Sequence, residues 1–216
     1  MMLRIIFLVL TLFGTQALAA APNVLLRPIE LETGSGTLYG SLMLPKSTRP
    51  VPVVLILAGS GPTDRDGNNP QGGRNDSLKK LARYLAQNNI ASVRFDKRGI
   101  AQSVAAGPDE RTLSLDQYVT DAVAWGEKLK SDPRFGDVYM LGHSEGALIA
   151  SLAAPQIDAA GVISIAGTGR PVGTVLREQL QRNRLPPALL QRSYELIDRL
   201  GAGRTDPDVP NDLKVI

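Results

Sequence analysis

Apolar positions along this chain follow two periods in turn, and their alternation predicts the fold class. Residues 24–31 and 37–44 read as two strands, with Thr33-Gly34-Ser35-Gly36 as the turn of an antiparallel hairpin. Val53-Val54-Leu55-Ile56-Leu57 is apolar throughout, as suits a strand buried on both faces. Leu78, Leu81, Ala82 and Leu85 then keep one helical face, with Lys79, Lys80 and Arg83 outside it, predicting a helix over 77–87. Residues 91–95 read as a strand. Ser114 and Gln117 form a capping-box pattern ahead of a helical stripe of Leu115, Tyr118, Val119, Ala122, Val123 and Trp125, which places Trp125 in the core. A further strand starts at Gly136 and Asp137 and leads into a helix that Pro155 ends. Residues 161–167 read as another buried strand. Hairpin, strand, helix, strand, helix, strand, helix, strand is the order of an α/β domain with a mostly parallel sheet and helices on both faces.

After Gly169 the character changes. Residues 171–183 and 186–200 read as two helices without a strand between them, and Gly201 ends the second. Leu189, Ser193, Leu196, Ile197 and Leu200 give that helix one apolar stripe. A helical pair following a sheet strand suggests a lid over the active-site end. At the other terminus, Arg4, the apolar run 5–13 and Ala17-Leu18-Ala19 form the pattern of a signal peptide with its cleavage site. The run is shorter than the roughly 20 residues a membrane span needs. The predicted organisation is a signal peptide at 1–19, a core at 20–170 and a partial helical lid at 171–216. The mature protein is expected to be exported, periplasmic or secreted, with no stable membrane span after cleavage.

Composition narrows the chemistry. A chain of 216 residues suffices for one domain with a sizeable core. The net charge of +3 is spread without blocks, which argues against a nucleic-acid partner. Cysteine is absent from the sequence, so disulfides, thiolate metal sites and cysteine nucleophiles are excluded. The sole histidine is His143.

The strand that begins near Gly136 runs into Gly142-His143-Ser144-Glu145-Gly146, and a run of small and apolar residues follows. This is the strand–turn–helix setting that a G-x-S-x-G nucleophile elbow requires. Glycines allow the sharp turn, and the new helix directs unpaired N–H groups at a developing anion. The alternative is a tight glycine turn carrying an incidental exposed serine. The loop Ala58-Gly59-Ser60-Gly61-Pro62-Thr63-Asp64-Arg65-Asp66-Gly67-Asn68 is dense in glycine and acid. It fails the dinucleotide fingerprint at Asp64 and lacks the lysine of a phosphate-binding P-loop. Asp64 and Asp66 lack the ligand spacing of a calcium loop. No metal and no cofactor are expected. An oxyanion loop fits better, with Gly59 and Gly61 letting backbone approach a carbonyl. Taken alone, the stretch is also compatible with an ordinary polar loop. Asp96, in Asp96-Lys97-Arg98-Gly99, reads as capping its turn and pairing with Arg98 rather than as catalytic.

Together these features resemble the α/β-hydrolase family. The match rests on Gly59-Ser60-Gly61, the Asp96–Gly99 turn with Ser103 after it, the elbow from Gly142 to Gly146, and the helices after Gly167. It is most similar to exported esterase- and serine-aminopeptidase-like hydrolases, and it runs from residue 24 to the end. The resemblance implies Ser144 as nucleophile, with the backbone N–H groups of Glu145 and Ser60 as oxyanion donors and a small ester or peptide as substrate. One departure stands out. The family places its acid and histidine after the nucleophile, whereas no histidine follows Ser144 here. His143 holds the variable elbow position and is expected to point away from Ser144. Asp198, Asp206, Asp208 and Asp212 lie in the lid-like region, and none is assigned as the acid. The expectation is the N-terminal part of a longer serine hydrolase, lacking its last strands and inactive alone. The competing reading is a non-catalytic binding protein on a hydrolase scaffold. A chain ending inside the lid would also leave strand 162–166 as a naked edge, so self-association is expected.

Overall fold

The structure, a computed structural model, describes residues 24–70 and 72–204. The signal segment and Asp206, Asp208 and Asp212 lie outside the described residues. The hairpin strands β1 (Val24–Thr33) and β2 (Gly36–Pro45) pair antiparallel, closing at Thr33 opposite Gly36. There follow β3 (Val51–Leu57), α1 (Ser77–Gln87), β4 (Ala91–Phe95), α2 (Leu115–Lys130), β5 (Phe135–His143), α3 (Glu145–Ala153) and β6 (Gly161–Ile165). The helices α4 (Val172–Arg182) and α5 (Pro187–Gly201) complete the order. The sheet runs β1-β2-β4-β3-β5-β6; β2 meets β4 antiparallel, and β4, β3, β5 and β6 are parallel.

Strand alternation explains the uninterrupted apolar run in β3. Val53, Leu55 and Leu57 face α2 and α3, joining Val119, Ala122, Trp125, Ile149 and Ala150. Val54 and Ile56 face α1, joining Leu78, Ala82 and Ala86. Trp125 is fully buried, its ring centroid 5.3 Å from that of Phe95. At the start of α2, Ser114 Oγ accepts from the Gln117 N–H at 3.2 Å, the N-cap half of the expected box. Among the described residues no helix is long and apolar enough to cross a membrane.

Three local expectations are corrected. Strand β6 is not buried, for Val162, Ile163 and Ile165 are 38–43% exposed. Its apolar sequence would suit an interior strand, but β6 is the last strand of the described sheet and pairs only with β5. Pro155 does not end α3 directly, because the helix stops at Ala153 and Pro155 enters a 3₁₀ turn (Ala154–Ile157), where its missing N–H costs nothing. The Asp96–Arg98 pair does not form either. Asp96 accepts from the Arg65 guanidinium at 2.6 Å, from the Arg65 N–H at 2.8 Å and from the Gln102 N–H at 3.2 Å. Arg98 turns to α2, where its Nε and a terminal nitrogen grip both oxygens of Asp121, Nε at 2.8 Å. Both oxygens of Asp121, on the facing helix, are thus engaged by the Arg98 fork.

Strand order locates the site. From β3 the chain crosses through α1 to β4 on one side, then returns through α2 to β5 on the other. The connections therefore diverge between β3 and β5, the crevice where open α/β sheets take their ligands. Register places Leu57 opposite Gly142, and His143 opposite Ile165, so the carboxyl ends of these strands share that edge.

The Arg98–Asp121 pair is buried on both sides. Burial pushes the Asp121 carboxyl up, while the Asp121 hydrogen bond holds the Arg98 guanidinium more firmly protonated. Asp121→Asn leaves a buried cation without its counter-ion, an expected loss of about 3–5 kcal/mol, or about 10 °C in Tm. The double change Arg98→Met with Asp121→Leu is expected to recover most of that loss. Thermal melts of the three proteins check both outcomes.

Candidate active site

The turn after β5 is the tightest backbone packing in the sheet's crevice. Ser144 sits at φ 53° and ψ −116°, a conformation that costs a non-glycine residue on the order of 1–3 kcal/mol. Both flanking glycines are required by what surrounds them. A Cβ on Gly142 would fall upon the Gly146 carbonyl. A Cβ on Gly146 would stand 2.5 Å from the Ala58 carbonyl oxygen, and as close to that of Leu57. So α3 begins with its backbone against the end of β3. The Ser144 N–H donates to the Ile165 carbonyl at 2.9 Å, and the Ala147 N–H donates to the Ser144 carbonyl at 3.0 Å. These bonds hold the turn between β6 and the first turn of α3.

The glycine loop runs out beside this turn. A Cβ on Gly59 would lie 3.5 Å from Ser144 Cβ and 3.0 Å from His143 Nδ1. Among the described residues, neither the Ser60 N–H nor the Glu145 N–H has an acceptor. Gly61 adopts φ 68° farther along the loop. The loop's acids are consumed locally. Asp64 accepts from the N–H groups of Asp66 and Asn68 at 2.9 and 2.8 Å. Asp66 pairs with Arg94 at 2.8 Å and Lys79 at 3.5 Å. The Asn68 amide donates to Asp76 at 2.8 Å and holds that carboxyl below its ordinary range. Among the described residues no group of three or more histidine or acidic side chains is placed to hold a metal ion.

Two of the depressions along the loop also reach the elbow. One, of about 520 Å³, is lined by Gly59, Ser60, His143 and Ser144, with Leu78, Leu81 and Ile165 as an apolar wall. The other, of about 750 Å³, is lined by Gly61, Pro62, Lys97, Glu110, Tyr118 and Glu145. The first brings the half-buried Ser144, at the start of α3, beside the Ser60 backbone. His143 is exposed in this depression, and no hydrogen bond joins it to Ser144. Asp198 pairs with Arg177 between α5 and α4.

Of the residues singled out from sequence, Gly59, Ser60, Gly142, Ser144, Glu145 and Gly146 meet at this point. Gly61 lines the second depression, Asp96 anchors the loop through Arg65, and Arg98 lies beneath α2. Three participants escaped the sequence reading. Arg94, buried in β4, ties down Asp66; Lys97 donates to the Gly59 carbonyl and to Glu145; Asp121 receives Arg98. For Arg94 and Lys97 the signal was present, since a charge inside or just past a buried strand requires a partner.

Gly146→Ala is expected to cost about 3 kcal/mol, the upper end for overpacking, because backbone rather than a flexible side chain blocks the new methyl. Gly136→Ala, where a Cβ meets nothing within 4 Å, is the control and should leave Tm within a degree or so. Paired thermal melts check the difference.

Comparison with known proteins bears on these features. The family model described as serine aminopeptidase, S33, matches residues 73–207, which includes the elbow and Lys97 but not the glycine loop. Esterase EstD of Thermotoga maritima is 34% identical over 145 residues, 67% of this chain and 34% of that protein. The chain thus spans about a third of the length of this curated relative. A solved α/β serine hydrolase without lid from Xanthomonas campestris aligns at TM-score 0.53 and 25% identity, over 68% of this chain and 63% of that one. The α/β-hydrolase GrgF from Penicillium sp. sh18 aligns at TM-score 0.55 and 20% identity, over 88% of this chain and 63% of that one, a likeness of fold.

Proposed function

We propose, from the premise that this chain belongs to the serine aminopeptidase (S33) family of α/β-hydrolases, that the whole protein is a serine hydrolase acting on ester or amide bonds through Ser144. The observation that carries the reading is the strained Ser144 turn facing Gly59 and Ser60, with an unengaged N–H on each side. In this reading the Ser144 oxygen attacks the substrate carbonyl carbon and gives its proton to a general base. The carbonyl oxygen takes the electron pair and is held by the Ser60 and Glu145 N–H groups. Collapse expels the alcohol or amine, which takes up the proton, and leaves an acyl-enzyme. Water then attacks the acyl carbon with the base accepting its proton, Ser144 recovers a proton, and the acid is released. The apolar wall of Leu78, Leu81 and Ile165 suits a hydrocarbon acyl group, which favours esters of apolar acids.

His143 is the single histidine in the sequence and makes no hydrogen bond to Ser144 among the described residues. We therefore assign the base and its acid to residues of the whole protein beyond position 216. In the whole protein, Ser144→Ala is expected to lower kcat on p-nitrophenyl acetate by about 10⁴-fold or more. The 216-residue chain is expected to fall short of the whole protein by a similar factor. Equal, Ser144-dependent rates for the two would place the base inside this chain and overturn the assignment.

The apolar, one-sided strand β6 supports self-association of the 216-residue chain through that edge. Sedimentation velocity is expected to show dimers or larger species, reduced by Ile163→Lys. A monodisperse monomer would refute it.

A further inference from the structure

We infer that Lys97 is a positioning residue that sets the oxyanion-binding peptide, an inference that rests on the hydrolase reading above. Lys97 lies two residues past β4 and is buried at 5% exposure. Its Nζ donates to the Gly59 carbonyl at 2.7 Å and to Glu145 Oε1 at 3.0 Å, and it lies 5.2 Å from the Tyr118 ring centroid. An ammonium taken out of water needs such partners, and here they come from three separate elements.

The consequence follows from peptide geometry. The Gly59–Ser60 bond is trans, and a trans peptide sets C=O and N–H on opposite sides. Lys97 and Glu145 line the second depression, whereas Gly59, Ser60 and Ser144 line the first. With the Gly59 carbonyl drawn toward Lys97, the Ser60 N–H points back into the depression that holds Ser144. The same ammonium grips the side chain of Glu145, whose backbone N–H is the other donor. One buried cation therefore fixes the two donors relative to each other. It touches neither substrate nor the reacting atoms.

The test uses the whole protein with p-nitrophenyl acetate, comparing wild type with Ser144→Ala, Lys97→Met, Lys97→Arg and the double variant Lys97→Met/Glu145→Gln. Lys97→Met is expected to lower kcat about 10²-fold, the scale of a lost oxyanion donor, with KM within about threefold. Lys97→Arg, which keeps a cationic donor, is expected to recover at least about tenfold of that loss. Should Lys97→Met fail to fold because Glu145 is left unpaired, the double variant removes that charge and is expected to show the same loss in kcat. A wild-type kcat in a folded Lys97→Met or double variant overturns the inference. So does a rise in KM with kcat unchanged. Amide NMR separates this result from failure of the hydrolase reading. Absence of Ser144-dependent turnover in wild type would sink that reading. Displaced Ser60 and Glu145 amide resonances in Lys97→Met would still support the grip, and unmoved resonances would refute it.

Discussion

The approach of Gly146 to the carbonyls of Leu57 and Ala58 is the constraint from which the rest of the crevice follows. Backbone meets backbone there, so no side chain larger than hydrogen fits between β3 and α3. That closeness forces the sharp exit from β5, and the exit holds Ser144 at positive φ. Strain of this size persists only where neighbours over-determine it. Here the neighbours are the Gly142–Gly146 contact, the hydrogen bond to Ile165, and the buried face of α3 through Ile149 and Ala150. The strain and the packing are thus one feature seen from two sides.

Three cations leave one short stretch, Arg94, Lys97 and Arg98, and each serves a different element. Arg94 pairs with Asp66, Lys97 with Glu145 and the Gly59 carbonyl, Arg98 with Asp121. Arg65, reaching from the loop, closes the set on Asp96. Buried ion pairs contribute little net stability, because desolvation offsets much of their attraction. Their effect is to fix register. A loop rich in glycine from 59 to 67 would otherwise sample many conformations at small cost. Three of these contacts, those of Arg94, Lys97 and Arg65, hold it against the elbow.

Much of the fold was legible in the sequence because the apolar periods were unambiguous. The run in β3 and the helical face of α1 carry their geometry in their spacing, and the Gly-x-Ser-x-Gly turn carries its own. Pairing was not legible in the same way. Asp96 and Arg98 are neighbours in sequence, yet each is satisfied by a residue at least 23 positions away. Local spacing does not reveal which helix will lie over a strand end. The apolar character of β6 by itself suggested burial, whereas its exposure agrees with the naked edge expected at 162–166.

The charges around the elbow are sorted by side, and the sorting bears on how the crevice could stabilise an anion. Among the described residues, no aspartate, glutamate, lysine or arginine lines the depression that holds Ser144. Glu145 follows the serine directly, and a free carboxylate there would oppose negative charge growing at an adjacent carbonyl oxygen. Instead its Oε1 is drawn to the far side of the glycine loop and neutralised by Lys97 at 3.0 Å. In the proposed reading, the groups left to meet a growing anion are the Ser60 and Glu145 N–H groups and the start of α3. A carboxylate at position 145 is thus compatible with oxyanion chemistry because the cation two residues past β4 removes it from the scene.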